Sequence, residues 1–338
     1  MSFHFKNILI TGGAGFIGSN FIRYLFDKRK TDENYKDIFI VNMDVINYCS
    51  TTDMEHLKED NYAFYNNDIN DYVNVKNILY RHNIDTVVHF AAQSHVDNSF
   101  GNSLAFTRDN VFGTHSLLEA CREYGEIKRF IHISTDEVYG EVDMDNNGCV
   151  EKGVLNPTNP YAATKAAAEF LVRSYYHSFK LPVIITRGNN VYGSRQYPEK
   201  LIPAFTTNLL EGKKCKVHGK GLSRRNFIHV YDVCTAVETI MKKGSVNEIY
   251  NIGTDNEFNV IEILQKLVFS IKKDPDYLKY AEFVEDRLFN DFRYCVDSSK
   301  LRDLGWRETI LFSEGLKQTI EWYYQKENRE MFHFNKDY

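Results

Sequence analysis

The chain has 338 residues, which at about 150 residues per domain points to two lobes with sizeable cores. It is 43% hydrophobic and 26% charged, an ordinary balance for a globular chain, and apolar runs such as Thr86–Ala92 fall far short of the roughly 18 residues that span a bilayer, so no membrane partner is expected. Lys plus Arg is 41 against 46 for Asp plus Glu, a net charge of −5, which excludes the basic footprint of a nucleic-acid binder.

The opening M-S-F-H-F-K runs almost directly into a strand pattern at Asn7–Thr11, which argues against a cleaved signal peptide. Short apolar strand patterns rich in Ile, Val, Phe or Tyr follow at Ile38–Met43, Tyr62–Tyr65, Thr86–Ala91, Arg129–Ser134 and Pro182–Arg187. Helix-length patterns lie between them at Phe16–Lys30, Tyr72–His82, Thr107–Tyr124 and Tyr161–Phe179. This alternation predicts βαβ units, and hence an α/β fold with a parallel, doubly wound sheet. After about Asn190 the rhythm changes. A turn-rich N-V-Y-G-S-R-Q-Y-P-E-K leads to helix patterns at Pro203–Glu211, Tyr231–Lys242, Val260–Lys272 and Phe312–Lys326, with a loop around Glu285–Asp297. Six scattered cysteines (Cys49, Cys121, Cys149, Cys215, Cys234 and Cys295) show no C-x-x-C spacing. That excludes a disulfide framework or zinc site and fits buried thiols in a reducing cytoplasm.

Three local patterns carry chemistry. The first strand runs into G-G-A-G-F-I-G and then a helix, so Gly12 or Gly13, with Gly15 and Gly18, spans a phosphate-binding turn. Such glycines let the backbone approach a pyrophosphate seated on the helix N-terminus. Asp44 ends the second strand, placed to accept hydrogen bonds from the adenosine ribose, and Val45 and Ile46 follow with no adjacent Arg for a 2′-phosphate. The cofactor expected is therefore NAD, on a Rossmann-type domain over 1–190 that also takes elements near 228–255. A smaller lobe over 191–338 is expected mainly to bind substrate. Asp68 and Ile69, after the third strand, border the adenine in this reading or simply form a strand-end turn. The second pattern is Tyr161-Ala-Ala-Thr-Lys165, opened by Asn159-Pro160, which puts a phenol and an ammonium on one helix face. A nearby cation favours phenolate and is expected to lower the tyrosine toward neutrality, as a base for a substrate hydroxyl. The third is I-S-T-D-E-V-Y-G, which sets Thr135, Asp136 and Glu137 at the C-terminal edge of the fifth strand, where doubly wound sheets bind ligands. Adjacent carboxylates repel, so one pKa rises; a protonated acid beside an ionised base is what an elimination needs. His89, His115 and His132 read as core or loop histidines without a role.

With these patterns in place, the chain resembles the nucleoside-diphosphate-glucose 4,6-dehydratases of the extended short-chain dehydrogenase/reductase family. The likeness runs through T-G-G-A-G-F-I-G, F-A-A-Q-S-H-V-D-N-S, S-T-D-E-V-Y-G, N-P-Y-A-A-T-K, R-G-N-N-V-Y-G, P-E-K-L-I-P, R-R-N-F-I-H-V and D-S-S-K-L-R-D-L-G-W. The 4-epimerases of sugar nucleotides share the fold and the Tyr/Lys pair but lack the Asp-Glu pair. The resemblance implies a redox-neutral elimination on bound NAD. Tyr161, helped by Lys165 and Thr135, removes the O4 proton of glucose; Glu137 removes the C5 proton; Asp136 protonates the C6 hydroxyl as water leaves. It also implies cofactor contacts at Phe16, Ile17, Ala91 and Ala92. Substrate contacts are implied at Ser94, His95, Asn189, Asn190, Lys200, Leu201, Arg225, Asn259 and Arg287.

The thymidine-diphosphate enzymes typically show R-P-G-H-D where this chain has Arg287-Leu288-Phe289-Asn290-Asp291, followed by Arg293, Tyr294 and Asp297. That form, together with R-G-N-N-V-Y-G, looks more like the UDP-glucose 4,6-dehydratase portion of rhamnose-synthesising enzymes, so UDP-glucose is favoured over dTDP-glucose. A single catalytic half is expected, leaving later epimerase and reductase steps to another protein. The resemblance further implies a homodimer joined through the Thr107–Tyr124 and Tyr161–Phe179 helices. A UDP-sugar 4-epimerase and a retired NAD-sensing binding protein are the rivals. The second would show a broken Tyr/Lys or acid pair, and both pairs are intact.

Overall fold

The computed structural model describes residues 3–51, 59–286, 289 and 291–332. In chain order the first half gives β1 (Asn7–Thr11), α1 (Phe16–Thr31), β2 (Phe39–Asp44), β3 (Tyr62–Asn66), α2 (Tyr72–His82) and β4 (Thr86–His89). Short helices α3 (Val96–Gly101) and α4 (Ser103–Phe106) precede α5 (Gly113–Tyr124), β5 (Arg129–Thr135), α6 (Pro160–Phe179) and β6 (Val183–Gly188). The second half adds β7 (Asn190–Tyr192), α7 (Leu201–Leu210), β8 (Cys215–His218), β9 (Arg224–His229), α8 (Val230–Lys243) and β10 (Ile249–Ile252). It continues with β11 (Glu257–Asn259), α9 (Val260–Lys272), β12 (Ala281–Val284), α10 (Ser299–Asp303), α11 (Phe312–Tyr324) and α12 (Lys326–Glu330).

A seven-stranded sheet in the order β10-β6-β5-β4-β1-β2-β3 forms the frame, and all of its strand pairs are parallel. Its strands are apolar on both faces because helices cover both. On one face Phe21 and Leu25 of α1 pack with Val237 and Ile240 of α8. On the other, Leu79, Leu117, Cys121, Val172 and Tyr175 from α2, α5 and α6 fill the space against the sheet. Each such buried side chain contributes about 1.5–3 kcal/mol of transfer free energy. β10 arrives from beyond residue 240 and pairs with β6, so the sheet draws its last strand from the second half of the chain. The smaller lobe has its own core, including Ile202, Phe205, Leu264, Leu267 and Phe312, beneath a three-stranded sheet β11-β9-β7 and a two-stranded sheet β12-β8.

The helix pattern over Thr107–Tyr124 is realised in two parts, a π-helical turn at Thr107–Phe112 and then α5. The apolar period does not distinguish the two; buried Asn110 in the π turn makes side-chain contacts to distant residues, described below. The pattern at Phe312–Lys326 breaks at Gln325, whose backbone is extended. The short strands of the smaller lobe carry too few residues to stand out as alternating runs. No helix among the described residues is long and apolar enough to cross a membrane.

Candidate active site

A cleft of about 680 Å³ opens at the C-terminal edge of the large sheet. The strand order reverses between β1 and β4, the position at which doubly wound sheets leave a crevice. Gly12 begins the turn with φ +71°, and a Cβ there would sit 2.6 Å from the amide nitrogen of Ala91. At Gly18 a Cβ would collide with the Gly12 carbonyl, so α1 rests directly on its own turn. Gly15 differs. It is the N-cap of α1 and supplies no side-chain cap, so the first turn, Phe16, Ile17 and Gly18, presents amides without intrahelical acceptors to the cleft. Asp44 braces this loop: its carboxylate accepts from the Ala14 and Ile46 amides, each at 2.9 Å, and burial raises its pKa. Asp68, Ile69, Ala91 and Ala92 line the same end. An uncapped helix start, glycines where a Cβ would intrude and a carboxylate at the second strand end are what a dinucleotide requires.

The N-terminus of α6 carries the phenol. Asn159 caps it, its Oδ1 accepting from the Ala162 amide at 2.9 Å, and Pro160 takes the first helical position. Tyr161 and Lys165 are both buried in the cleft wall. The expected lowering of the phenol toward neutrality does not occur within the protein alone. Burial, and then the Glu137 charge, push Tyr161 above its ordinary value, with the Thr135 hydroxyl acting against them. Lys165 donates to the Ile133 carbonyl at 2.7 Å, and burial brings its ammonium down to about 8.

Thr135 ends β5 and caps the tight turn that holds the acid pair. Its hydroxyl donates to Asp136 Oδ1 at 3.2 Å and accepts from the Glu137 amide at 3.3 Å. Each carboxylate has its own asparagine. Asn189 donates to Asp136 at 2.8 Å, and Asn159 donates to Glu137 at 3.1 Å. Burial pushes Asp136 up to about 7, the Asn189 hydrogen bond opposing and the Glu137 charge adding. Burial also raises Glu137, against the Asn159 hydrogen bond and the positive charges of Arg225 and Lys200.

Ser94, His95, Asn190, Lys200, Leu201 and Arg225 line the cleft beyond the acid pair. Lys200 donates to the Ser94 carbonyl at 2.8 Å, and His95 lies 3.8 Å from Glu199. Arg225 stacks 4.4 Å above the Tyr294 ring. Asn259, expected as a substrate contact, does not line the cleft. It caps α9 in a reciprocal pair with Glu262, at 2.8 and 2.7 Å, and that backbone duty occupies its side chain. Arg287 lies outside the described residues.

The profile of the family described as GDP-mannose 4,6 dehydratase matches residues 9–319. The chain belongs to this family. A trifunctional UDP-glucose 4,6-dehydratase/3,5-epimerase/reductase of Arabidopsis thaliana is 48% identical over 325 residues, 95% of this chain and 47% of that protein. The chain thus spans about half the length of that relative. The dTDP-D-glucose 4,6-dehydratase of Homo sapiens is 45% identical, covering 97% of this chain and 91% of the human protein. Among solved structures, the dTDP-glucose 4,6-dehydratase DesIV of Streptomyces venezuelae, crystallised with NAD and TYD, superposes with TM-score 0.90 at 37% identity, over 98% of this chain and 100% of that one.

Several residues that line or support this dehydratase-family cleft escape a reading of the sequence. Asn159 is legible as a helix cap, but not as the donor that orients Glu137. Asn110, from the π turn, receives the Gln93 amide at 2.7 Å and donates to the Gln93 carbonyl and Thr164 hydroxyl, each at 3.0 Å, fixing the loop after β4. Asp291 accepts from Thr158 and Tyr294, so it holds the ring on which Arg225 rests. Asn110 follows Thr107, Arg108 and Asp109 in a polar stretch, so nothing local marks it, or Asp291, for these roles.

Proposed function

We propose that the chain converts UDP-glucose to UDP-4-keto-6-deoxyglucose, an NAD-dependent 4,6-dehydration that opens a rhamnose-type deoxysugar route. The observation that carries this reading is the acid pair: two adjacent carboxylates at the end of β5, each held by a separate asparagine, beside a buried tyrosine. A 4-epimerase needs only the tyrosine and a cofactor; the two carboxylates serve an elimination.

NAD would be held by the glycine loop: Gly12, Gly15 and the first turn of α1 (Phe16, Ile17 and Gly18) would meet its pyrophosphate, and Asp44 its adenosine ribose. When bound it supplies a hydride acceptor that later acts as the donor. Everything else falls to the protein. Tyr161 takes the proton of the sugar O4. The C4 ketone acidifies C5, and Glu137, kept weakly acidic by burial and steadied by Asn159, removes the C5 proton. Asp136 protonates the C6 hydroxyl, which leaves as water. Lys200 and Arg225 meet the diphosphate, Arg225 with its plane set by Tyr294. Ser94, His95, Asn189 and Asn190 contact the sugar.

The leaning toward UDP rests on R-L-F-N-D and on the plant relative. The human relative and the bacterial structure support dTDP-glucose as the second reading. The proposal includes a homodimer through the Thr107–Tyr124 segment (the π turn and α5) and α6, on which Phe112 of the π turn and Phe170 of α6 are exposed by 57% and 60%. It also includes a cytoplasmic location, in keeping with six unpaired thiols. Incubation with each nucleotide sugar, followed by mass analysis, tests the reading. Loss of one water without added reductant is expected, faster with UDP-glucose. An unchanged mass with a C4-inverted sugar would sink it.

A further inference from the structure

Under the dehydration reading, on which this inference rests, the chemistry falls on two elements that must stay in register. Tyr161 and Lys165 ride on α6, whereas Asp136 and Glu137 open a tight turn, Asp136–Tyr139, at the end of β5. Asparagines hold the first half of that turn, Asn159 from the cap of α6 on Glu137 and Asn189 from just past β6 on Asp136. Ties at one end leave a short turn free to pivot at the other.

That other end is Tyr139, and behind it lies a buried ion pair that touches none of the groups assigned to the reaction. Glu169 stands two turns down α6 from Tyr161, with Lys165 halfway between, so the three follow one helix face. Its carboxylate takes the Arg187 guanidinium in a fork, from Nε at 3.1 Å and from Nη2 at 2.6 Å, and the two residues are 1% and 2% exposed. Arg187 Nη1 donates to the Glu151 carbonyl at 3.1 Å, and the guanidinium carbon lies 4.7 Å from the centroid of the Tyr139 ring. The Tyr139 hydroxyl donates to Asn251 Oδ1 at 2.8 Å, and the Asn251 amide donates to the Glu151 carboxylate at 3.0 Å, so the contacts close into a ring. Tyr139 is thus held by its face and by its hydroxyl together.

We propose that Arg187 is a positioning residue: gripped by Glu169, it holds the Tyr139 ring and so pins the far end of the acid turn against α6, in register with Tyr161. Stability alone does not call for such a pair, since apolar side chains of similar volume fill a core without the cost of desolvating two charges. What the pair supplies is a plane of fixed orientation. The Glu169 carboxylate sets the edge of the guanidinium, and the guanidinium face sets the ring. Such precision matters because a displacement of about 1 Å between reacting groups can cost ~10²-fold in rate. Oxidation at C4 uses α6 and the cofactor, whereas loss of the C5 proton and of the C6 hydroxyl uses the turn. Loosening Tyr139 therefore slows the later steps and spares the first.

The test uses the NAD-loaded enzyme with its glucose nucleotide and two variants that leave no unmatched charge on Glu169. Arg187→Lys keeps the positive charge but has no plane to lay against the ring. Tyr139→Leu removes the ring and keeps the ion pair. Each is melted first and then assayed well below its melting temperature. Rapid quench and mass analysis separate the sugar oxidised at C4, still carrying its C6 hydroxyl, from the dehydrated product. In both variants C4 oxidation should stay within about threefold of wild type and elimination should slow by ~10–10²-fold, so that the oxidised sugar accumulates. Tyr139→Phe, which keeps the ring on the guanidinium, should recover most of the elimination rate. A wild-type elimination rate in either variant overturns the proposal. So does equal slowing of oxidation and elimination, the mark of a site loosened as a whole. A Tyr139→Phe enzyme as slow as Tyr139→Leu moves the role from the ring to the hydroxyl and overturns it too. Should wild type lose no water from either glucose nucleotide, the dehydration reading itself falls, an outcome separate from these.

Discussion

Asp136 and Glu137 are joined by one peptide bond, yet their surroundings give them different work. In the proposed mechanism Glu137 must be ionised to take a proton from C5. Glu137→Gln should abolish solvent exchange at C5 and lower turnover by roughly 10²–10⁴-fold, while nucleotide affinity stays within a factor of a few; NMR of the recovered sugar in deuterated water reads this directly. Persistent exchange would remove Glu137 from that role. Asp136, pushed up to about 7, offers a sharper sign test. As the proposed acid it must begin protonated, so kcat/KM falls as pH rises through about 7. Stability moves the same way. The folded protein binds more protons than the unfolded chain between the ordinary carboxyl pKa near ~4 and about 7, so stability falls as pH rises across that window. Thermal melts from pH 4.5 to 8 should show this slope, and Asp136→Asn should flatten it. The acid pair itself was legible, because S-T-D-E-V-Y-G is contiguous. Its supports were not: Asn159 and Asn189 lie 22 and 53 residues away from the carboxylates they hold, and only the fold brings them together.

Glycines of one loop divide into two kinds at the scale of the element. Gly12 and Gly18 serve the packing of turn, strand and helix, whereas Gly15 leaves the helix start bare. Gly12→Ala combines a left-handed φ with a backbone collision, and should cost several kcal/mol, on the order of the larger strain effects. At Gly15 a Cβ would stand 3.3 Å from the Gly12 carbonyl, a contact relieved by a small shift. Gly15→Ala should therefore leave the melting temperature nearly unchanged without cofactor and weaken NAD retention. Equal loss of stability in both variants would contradict this division. Strand and helix periods made the sheet readable because apolar runs and 3.6-residue patterns are local properties. The π turn was hidden, since Asn110 acts through Gln93 and Thr164 rather than through its neighbours in the helix.

For the whole molecule, the proposed dimer makes a simple demand on an apolar helix face. Phe170→Glu places a charge on the outer side of α6, where Phe170 is exposed by 60%, without touching the cleft. It should shift gel filtration toward the monomer and leave the melting curve of the protomer nearly intact; an unchanged elution volume would refute this interface. The late entry of β10 was only partly visible in the sequence, as elements near 228–255 assigned to the first domain, and it carries an implication for how the protein comes into being. On the ribosome, β6 is made some 60 residues before its outer neighbour. Until then it presents an open strand edge, the kind of surface that invites wrong pairing. Thr254, just past β10, is also the residue whose amide fixes the Asn189 side chain, which in turn holds Asp136. The nascent chain therefore closes its sheet and sets Asp136, the proposed acid, in the same event. A polypeptide halted before that point has all five residues of the Tyr/Lys and acid clusters, but not the working site.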